Sequence, residues 1–316
     1  VATLDNNVFT LNKYTEAVKS GLVAQQGWNA AWAVAGYSGA ASLSTVDRIL
    51  FSTDTSVASV RGPISVAKYY SHGGTSSADG WHAGGYGALT TVDRIIYASD
   101  TAVATTRGNL STDKTAGGVT QNLATDMWIG GGTAGPGPAR VSTVERFIFT
   151  SDTATGVVKG PLPTTAALRA GIHDFSANGW YACREAPGGS MVERIIFASD
   201  TAAGAAKGPL SSSRYATTAG VATTTDGWVS GGRNPGSMTT VDRIIFATDT
   251  ATAVAKGPLN VARNVNIGTA NPTYGWVLAG SPGLSSVERI TFSSDTATAT
   301  ATGPLSGAKY GVSAAI

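Results

Sequence analysis

A chain of 316 residues with 13% charged side chains and a net charge of +2 carries neither the basic footprint of a nucleic-acid binder nor a polybasic membrane patch. Cys183 is the only cysteine, which excludes an intrachain disulfide, and no apolar run approaches the ~20 residues of a membrane-spanning helix. No signal peptide is visible, and the start at Val1 without a methionine reads as a processed or excised piece.

Taken in order, the chain repeats one unit. A worn copy comes first, with Leu4-Asp5, a strand at Val8-Phe9-Thr10 and a stop at Lys19-Ser20-Gly21-Leu22. Clear copies start at Val46, Val92, Val144, Val192, Val241 and Val287. The Val241 copy shows the design: Val241-Asp242-Arg243-Ile244-Ile245-Phe246 is an apolar, β-branched and aromatic strand that meets an Asp249-Thr250 turn. A second strand of small residues then runs to the stop at Lys256-Gly257-Pro258-Leu259. Steps of 42, 46, 52, 48, 49 and 46 residues separate the copies, a period that belongs to propeller blades.

Each complete repeat divides into four strands, a to d, with c and d forming the hairpin just described. Strand a follows the Gly-Pro stop and opens on a basic residue, as in Lys68-Tyr69-Tyr70 or Arg263-Asn264-Val265. Strand b opens on tryptophan and ends on glycine four places later: Trp32 with Gly36, Trp81 with Gly85, Trp128 with Gly132, Trp228 with Gly232, Trp276 with Gly280. Trp180 meets Arg184 at that spacing, so the fourth copy departs. The prediction is an all-β, single-domain protein over residues 1–316. It is expected to be a seven-bladed propeller of four-stranded antiparallel blades, in which the Leu4 hairpin and the C-terminal Ala308–Ile316 segment share one blade.

The glycine pairs Gly84-Gly85, Gly131-Gly132 and Gly231-Gly232, the Val-Asp/Glu that follows them, the basic residue opening a and the Asp-Thr turn resemble the kelch repeat. Tryptophan at the head of b is a departure from that pattern. Phrases such as Ser44-Thr45-Val46-Asp47-Arg48-Ile49 and Tyr97-Ala98-Ser99-Asp100-Thr101-Ala102 further resemble kelch-like propellers of tailed-phage virions. The resemblance implies a virion or extracellular location, as a tail appendage or surface module that contacts other virion or surface proteins or a cell-surface glycan.

Most charges recur in register. Seven acids open strand c, six more stand at the c–d turn, and the bases follow the c-strand acid, precede the stop or open strand a. Such residues are expected to serve the scaffold: the turn aspartates as backbone caps, the c-strand Asp/Glu-Arg pairs as bridges between neighbouring strands. The six b-strand tryptophans are expected as anchors between blades with their indole N–H bonded to backbone. His72, His82 and His173 share no metal-ligand spacing, no cofactor is expected, and no catalytic set stands out.

Candidates for recognition are therefore residues outside the registers or in the variable b–c connections. These are Trp28, Tyr37, Tyr86, Arg140, Arg184, Arg233 and Asn234. In this topology the b–c and d–a connections share one face, so a non-catalytic binding or structural propeller acting through that face is the leading expectation. One rival is an extracellular carbohydrate-active or oxidative enzyme using the central pocket with acids such as Asp174 or Glu185. Another is an intracellular kelch adaptor.

Overall fold

The computed structural model describes residues 29–122, 125–135, 139–184, 189–217 and 219–315. These residues build twenty-four strands and six short 3-10 turns, arranged in six four-stranded antiparallel sheets. The first sheet contains β1 (Ala30–Val34), β2 (Val46–Leu50) and β3 (Ser59–Arg61). The second holds β4 (His72–Thr75), β5 (Asp79–Ala83), β6 (Thr91–Ile96) and β7 (Thr105–Asn109). The third holds β8 (Gly118–Asn122), β9 (Asp126–Gly130), β10 (Val144–Ile148) and β11 (Val157–Lys159). The fourth holds β12 (Ala170–His173), β13 (Asn178–Arg184), β14 (Gly189–Ile196) and β15 (Ala205–Lys207). The fifth holds β16 (Ala219–Ala222), β17 (Asp226–Ser230), β18 (Val241–Ile245) and β19 (Val254–Ala255). The sixth holds β20 (Ile267–Ala270), β21 (Tyr274–Leu278), β22 (Val287–Thr291) and β23 (Thr300–Ala301). Last in the chain, β24 (Ser313–Ala315) pairs antiparallel with β1, so the first sheet runs β24-β1-β2-β3.

The inner strands β4, β8, β12, β16, β20 and β24 touch one another in turn and β24 returns to β4, which makes the molecule a six-bladed β-propeller. Glycine is required here by close approach. A Cβ on Gly73 would stand 2.1 Å from the carbonyl oxygen of Ala314, and one on Gly171 would stand 1.9 Å from that of Val119. Gly220 and Gly268 face the preceding inner strand in the same way, so the axis is tight because its lining is small.

Repeated side chains bolt each blade to the next. Trp32, Trp81, Trp180, Trp228 and Trp276 stack on Tyr97, Phe149, Phe246, Phe292 and Phe51 of the following blade, with centroids 3.9 to 4.2 Å apart. The aromatic partner opens the 3-10 turn, which turns it out of strand c and against the neighbour. The same five indole N–H groups donate to the turn carboxylates of Asp100, Asp152, Asp249, Asp295 and Asp54, at 2.8 to 3.2 Å. Each carboxylate also receives the c-strand arginine of the preceding blade, as Asp54 receives Arg289 at 3.0 Å. Within a blade, the base that opens a is buried against the c-strand acid: Lys68 with Asp93 and Lys309 with Asp47, both at 2.8 Å, and Arg214 with Asp242 at 2.6 Å.

These contacts correct several expectations. There are six blades among the described residues, not seven, and no blade is shared between the Leu4 hairpin and the C-terminal segment. Leu4 to Leu22 lies outside the described residues; the C-terminal segment instead lies on the Trp32 blade, where Lys309 meets Asp47. Among the described residues the closed ring leaves no gap for a seventh sheet. Phe51 and Asp54 of the first blade already hold Trp276 of the sixth, and Ala314 is pressed against Gly73 of the second. The turn aspartates accept from tryptophan and arginine across the blade junction, and none of the 3-10 turns has a side-chain cap at its start. The c-strand acid and its arginine part company, the acid facing inward to strand a and the arginine reaching the next blade.

One junction differs. Trp128 sits 5.3 Å from Phe197 at 26°, and its indole N–H has no hydrogen-bond partner. Tyr181 takes up adjoining space, lying against Gly130 and donating its hydroxyl to the Trp128 carbonyl at 3.0 Å. Arg146 consequently divides itself between Asp126 at 3.0 Å, the Trp128 ring and Asp200 at 3.5 Å.

Candidate binding face

The b–c and d–a connections meet on one face through short backbone pairings that repeat from blade to blade. The residue following the opening base of a pairs with the residue five beyond the b tryptophan. These pairs are Tyr310 with Tyr37, Tyr69 with Tyr86, Thr115 with Thr133, Tyr215 with Arg233 and Asn264 with Ser281. In the first two blades both positions are tyrosine. Tyr37 N donates to Tyr310 O at 2.8 Å and Tyr86 N to Tyr69 O at 2.8 Å. Tyr70 N donates to Gly311 O at 2.7 Å, which binds the two blades together at this point.

Five rings gather as a result. Tyr69 is the hub, with ring centroids 4.8 Å from Tyr86, 5.0 Å from Tyr37 and 4.9 Å from Tyr70. Tyr37 in turn meets Tyr310 edge-on at 5.5 Å. Tyr70 holds φ at +56°, a left-handed conformation that is costly for a bulky residue. The scaffold imposes it, since Ala116, Leu168, Ala216, Val265 and Gly311 hold the same conformation in the other blades. Gly311 lacks a side chain where one would strike the Tyr70 ring at 2.9 Å. Tyr86 is the outermost ring, 59% exposed, while the other four are partly covered.

Electrostatically the cluster is neutral. Partial burial, the neighbouring tyrosine hydroxyls and a hydrogen bond with Tyr86 push the Tyr69 phenol up to about 12. Lys68 and Lys309, next in sequence to Tyr69 and Tyr310, point their ammonium groups inward to Asp93 and Asp47.

Beneath the face, Tyr70, Ser71 and Gly311 also line an axial cavity of about 110 Å³. Its wall is mostly glycine, alanine and valine, with Thr75, Gln121, Arg169, His173 and Thr269 as the polar exceptions. Arg169 is ion-paired with Glu193. His173 has no hydrogen-bond partner on either ring nitrogen, and burial pushes it down to about 4. His72 donates from Nδ1 to Ala83 O and accepts at Nε2 from Gly117 N. His82 pairs with the Ser313 hydroxyl, and burial pushes both His72 and His82 down to about 3.

Set beside known protein families and curated proteins, the chain matches none.

Of the residues singled out in the sequence, the structure brings Tyr37 and Tyr86 together through Tyr69. Arg140, Arg184 and the adjacent pair Arg233-Asn234 stand on the third, fourth and fifth blades. Arg140 is exposed and bridges to Thr133; Arg184 pairs with Gly189 across a β-bulge that replaces the usual b-strand glycine turn. Arg233 Nε donates to Pro235 O at 2.7 Å and Asn234 Nδ2 to Ser213 O at 2.7 Å, so both brace their own connections. Trp28 lies outside the described residues. Tyr69, Tyr70 and Tyr310 were not among the candidates. Their signal was partial: Tyr69 and Tyr310 occupy an a-strand position that Thr115, Ala167 and Asn264 fill elsewhere, but Tyr215 fills it in the fifth blade opposite Arg233, so only the pairing of tyrosine with tyrosine sets the first two blades apart.

Among the described residues the acids outside the two registers do not converge; Glu16 and Glu185 lie outside those residues. Asp79, Asp126 and Asp226 face the c-strand arginines of their own blades, Asp113 accepts from Gly135 N, and Asp174 accepts from three successive backbone N–H groups. Those hydrogen bonds hold Asp174 below the usual carboxylate range despite burial. Among the described residues no helix is long and apolar enough to cross a membrane.

Proposed function

We propose that this protein is a non-catalytic recognition and structural propeller. It serves a virion or cell-surface assembly and engages its partner through the face that carries the b–c and d–a connections. The observation behind this reading is the five-tyrosine cluster, where, among the described residues of that face, two adjacent blades replace small or polar residues with aromatic rings. Tyrosine supplies rigid, amphipathic contact area at low entropic cost, and side chains of this kind dominate binding surfaces. The charge inventory supports the same reading, because ring-forming clamps and loop braces use most of the acids. The likeness to kelch-type virion propellers stands behind the choice of assembly.

The test uses labelled protein and a panel of intact bacterial cells, with binding read by flow cytometry. Wild type and a Val57→Ser/Val103→Ser variant, altered at exposed c–d turns of the opposite face, are expected to bind alike. A Tyr37→Ala/Tyr86→Ala variant is expected to lose binding. Retention by the tyrosine variant, loss through the c–d turns, or no binding across the panel would remove the proposal.

A further inference from the structure

We propose that the tyrosine cluster of the first two blades is a carbohydrate subsite that takes the apolar ring face of an uncharged pyranose residue. This rests on the recognition face proposed above and names the chemistry of its ligand. Three observations carry it. First, Tyr86 is 59% exposed yet stacked on Tyr69 at 4.8 Å and 30°, so a flat ring is held open to solvent without freedom to fold away. The C–H bonds on one side of a pyranose present an apolar, weakly positive surface that complements the negative face of a phenol. Ordering costs on the protein side are already met by the Tyr69–Tyr37–Tyr70 packing beneath.

Second, hydroxyls are concentrated where sugar hydroxyls would lie. Tyr69, Tyr86, Tyr37 and Tyr310 are close enough that each of the other three disfavours ionisation of Tyr69. Tyr69 at the hub therefore stays a neutral donor and acceptor, and the four phenol hydroxyls together can exchange hydrogen bonds with a polyol.

Third, the lysines that adjoin the cluster are not turned toward a carboxylated or sulfated sugar. The two nearest lysines in sequence are withdrawn, Lys68 fully and Lys309 almost fully, into ion pairs with Asp93 and Asp47. An anionic residue brought onto these rings would lose hydration without a counter-charge, a penalty that an uncharged hexose avoids. The axial cavity opens beside the cluster at Tyr70 and Gly311, so a ligand lying on Tyr86 and Tyr69 has space toward the axis.

The experiment is a printed array of neutral, sialylated and uronate-containing oligosaccharides, probed with wild type, Tyr86→Ala, Tyr86→Trp and Tyr37→Ala. The bound glycans are then titrated calorimetrically at low and high salt. The expected result is selection of neutral pyranosides with an affinity insensitive to salt. Tyr86→Ala should weaken it by about tenfold or more, the equivalent of ~1.4 kcal/mol, while Tyr86→Trp retains it. Circular dichroism and thermal unfolding confirm that each variant is folded. Selection of anionic glycans, or no glycan bound at all, overturns the proposal. If an anionic glycan or a protein from the intact cells binds and is lost in the tyrosine variants, the recognition face stands and the sugar class is wrong. Neutral-glycan binding that is indifferent to every tyrosine substitution overturns both.

Discussion

Replacing the turn aspartates one at a time measures what each blade junction contributes. In Asp54→Ala the indole of Trp276 loses its acceptor at 2.8 Å and Arg289 loses its partner at 3.0 Å. A hydrogen bond to a charged group contributes about 1.5–3 kcal/mol, and a buried N–H left without a partner costs about 1–3 kcal/mol. The sum is about 2.5–6 kcal/mol, and the lower part of that range is expected because Arg289 is 28% exposed and can be rehydrated. Asp100, Asp152, Asp249 and Asp295 make the same pair of contacts and should fall in the same range. Asp200 is the internal control. It receives no indole N–H, its arginine is at 3.5 Å, and its closer partner, Lys159, is an 18%-exposed neighbour. Asp200→Ala should therefore cost only about 1 kcal/mol, the worth of partly solvated ion pairs. Urea unfolding of the six variants, followed by tryptophan fluorescence and circular dichroism, gives the comparison. If Asp200→Ala is as damaging as the other five, the indole–carboxylate bond is not what holds the junctions and the reasoning fails.

Three further outcomes follow from buried groups. His72 and His82 have pKa values depressed from the ordinary imidazole value to about 3, so their stabilising neutrality is complete above pH ~6.5 and lost as pH falls towards 3. At pH 4.5 each should have cost about 2–3 kcal/mol relative to pH 7.5, and a His72→Gln/His82→Gln variant should show a flatter stability profile in acid. An unchanged slope would show that other groups govern acid unfolding. Gly171→Ala places a methyl 1.9 Å from the Val119 carbonyl and should prevent closure of the axis, whereas Gly39→Ala meets no atom within 4 Å and should cost only ~1–2 kcal/mol for its left-handed backbone. Comparable losses in soluble yield would refute the close-packing argument. Cys183 is fully buried, and burial raises its thiol pKa, so a chromogenic disulfide reagent should find no thiol in the native protein and one after denaturation.

The blade itself was legible because its signals are local. The Val-Asp-Arg-Ile-Ile-Phe strand, the Asp-Thr turn and the Trp-to-Gly spacing of strand b each mark one element, and all recur in the structure as β-strands and turns. The number of blades was not local. It depends on which c-strand acid the C-terminal lysine meets, and Lys309 reaches Asp47 over a sequence separation that no periodicity reports. Partner choice for the turn aspartates was hidden for the same reason, since Trp32 and Asp100 are 68 residues apart. On the binding face, Tyr37 and Tyr86 stood out as loop aromatics, but Tyr69, Tyr70 and Tyr310 were read as strand a. Only the backbone pairing of Tyr310 with Tyr37 and Tyr69 with Tyr86 shows that strand and loop share one surface. The departure at Arg184 was visible in sequence, and the bulge that lets the fourth blade dispense with its glycine explains it.

The pairing of β24 with β1 has a consequence for the order in which this protein is made. The sheet built on β1 stays without its innermost strand until Ser313–Ala315 has been synthesised, and Asp54 waits for Trp276 across 222 residues. Blades two to five are able to assemble while synthesis continues, but the wheel locks in one late, long-range event of the kind that slows β-rich chains. Until then the edge of β1 (Ala30–Val34) lacks its β24 partner, and unpaired strand edges of this kind are where other extended segments add to a sheet.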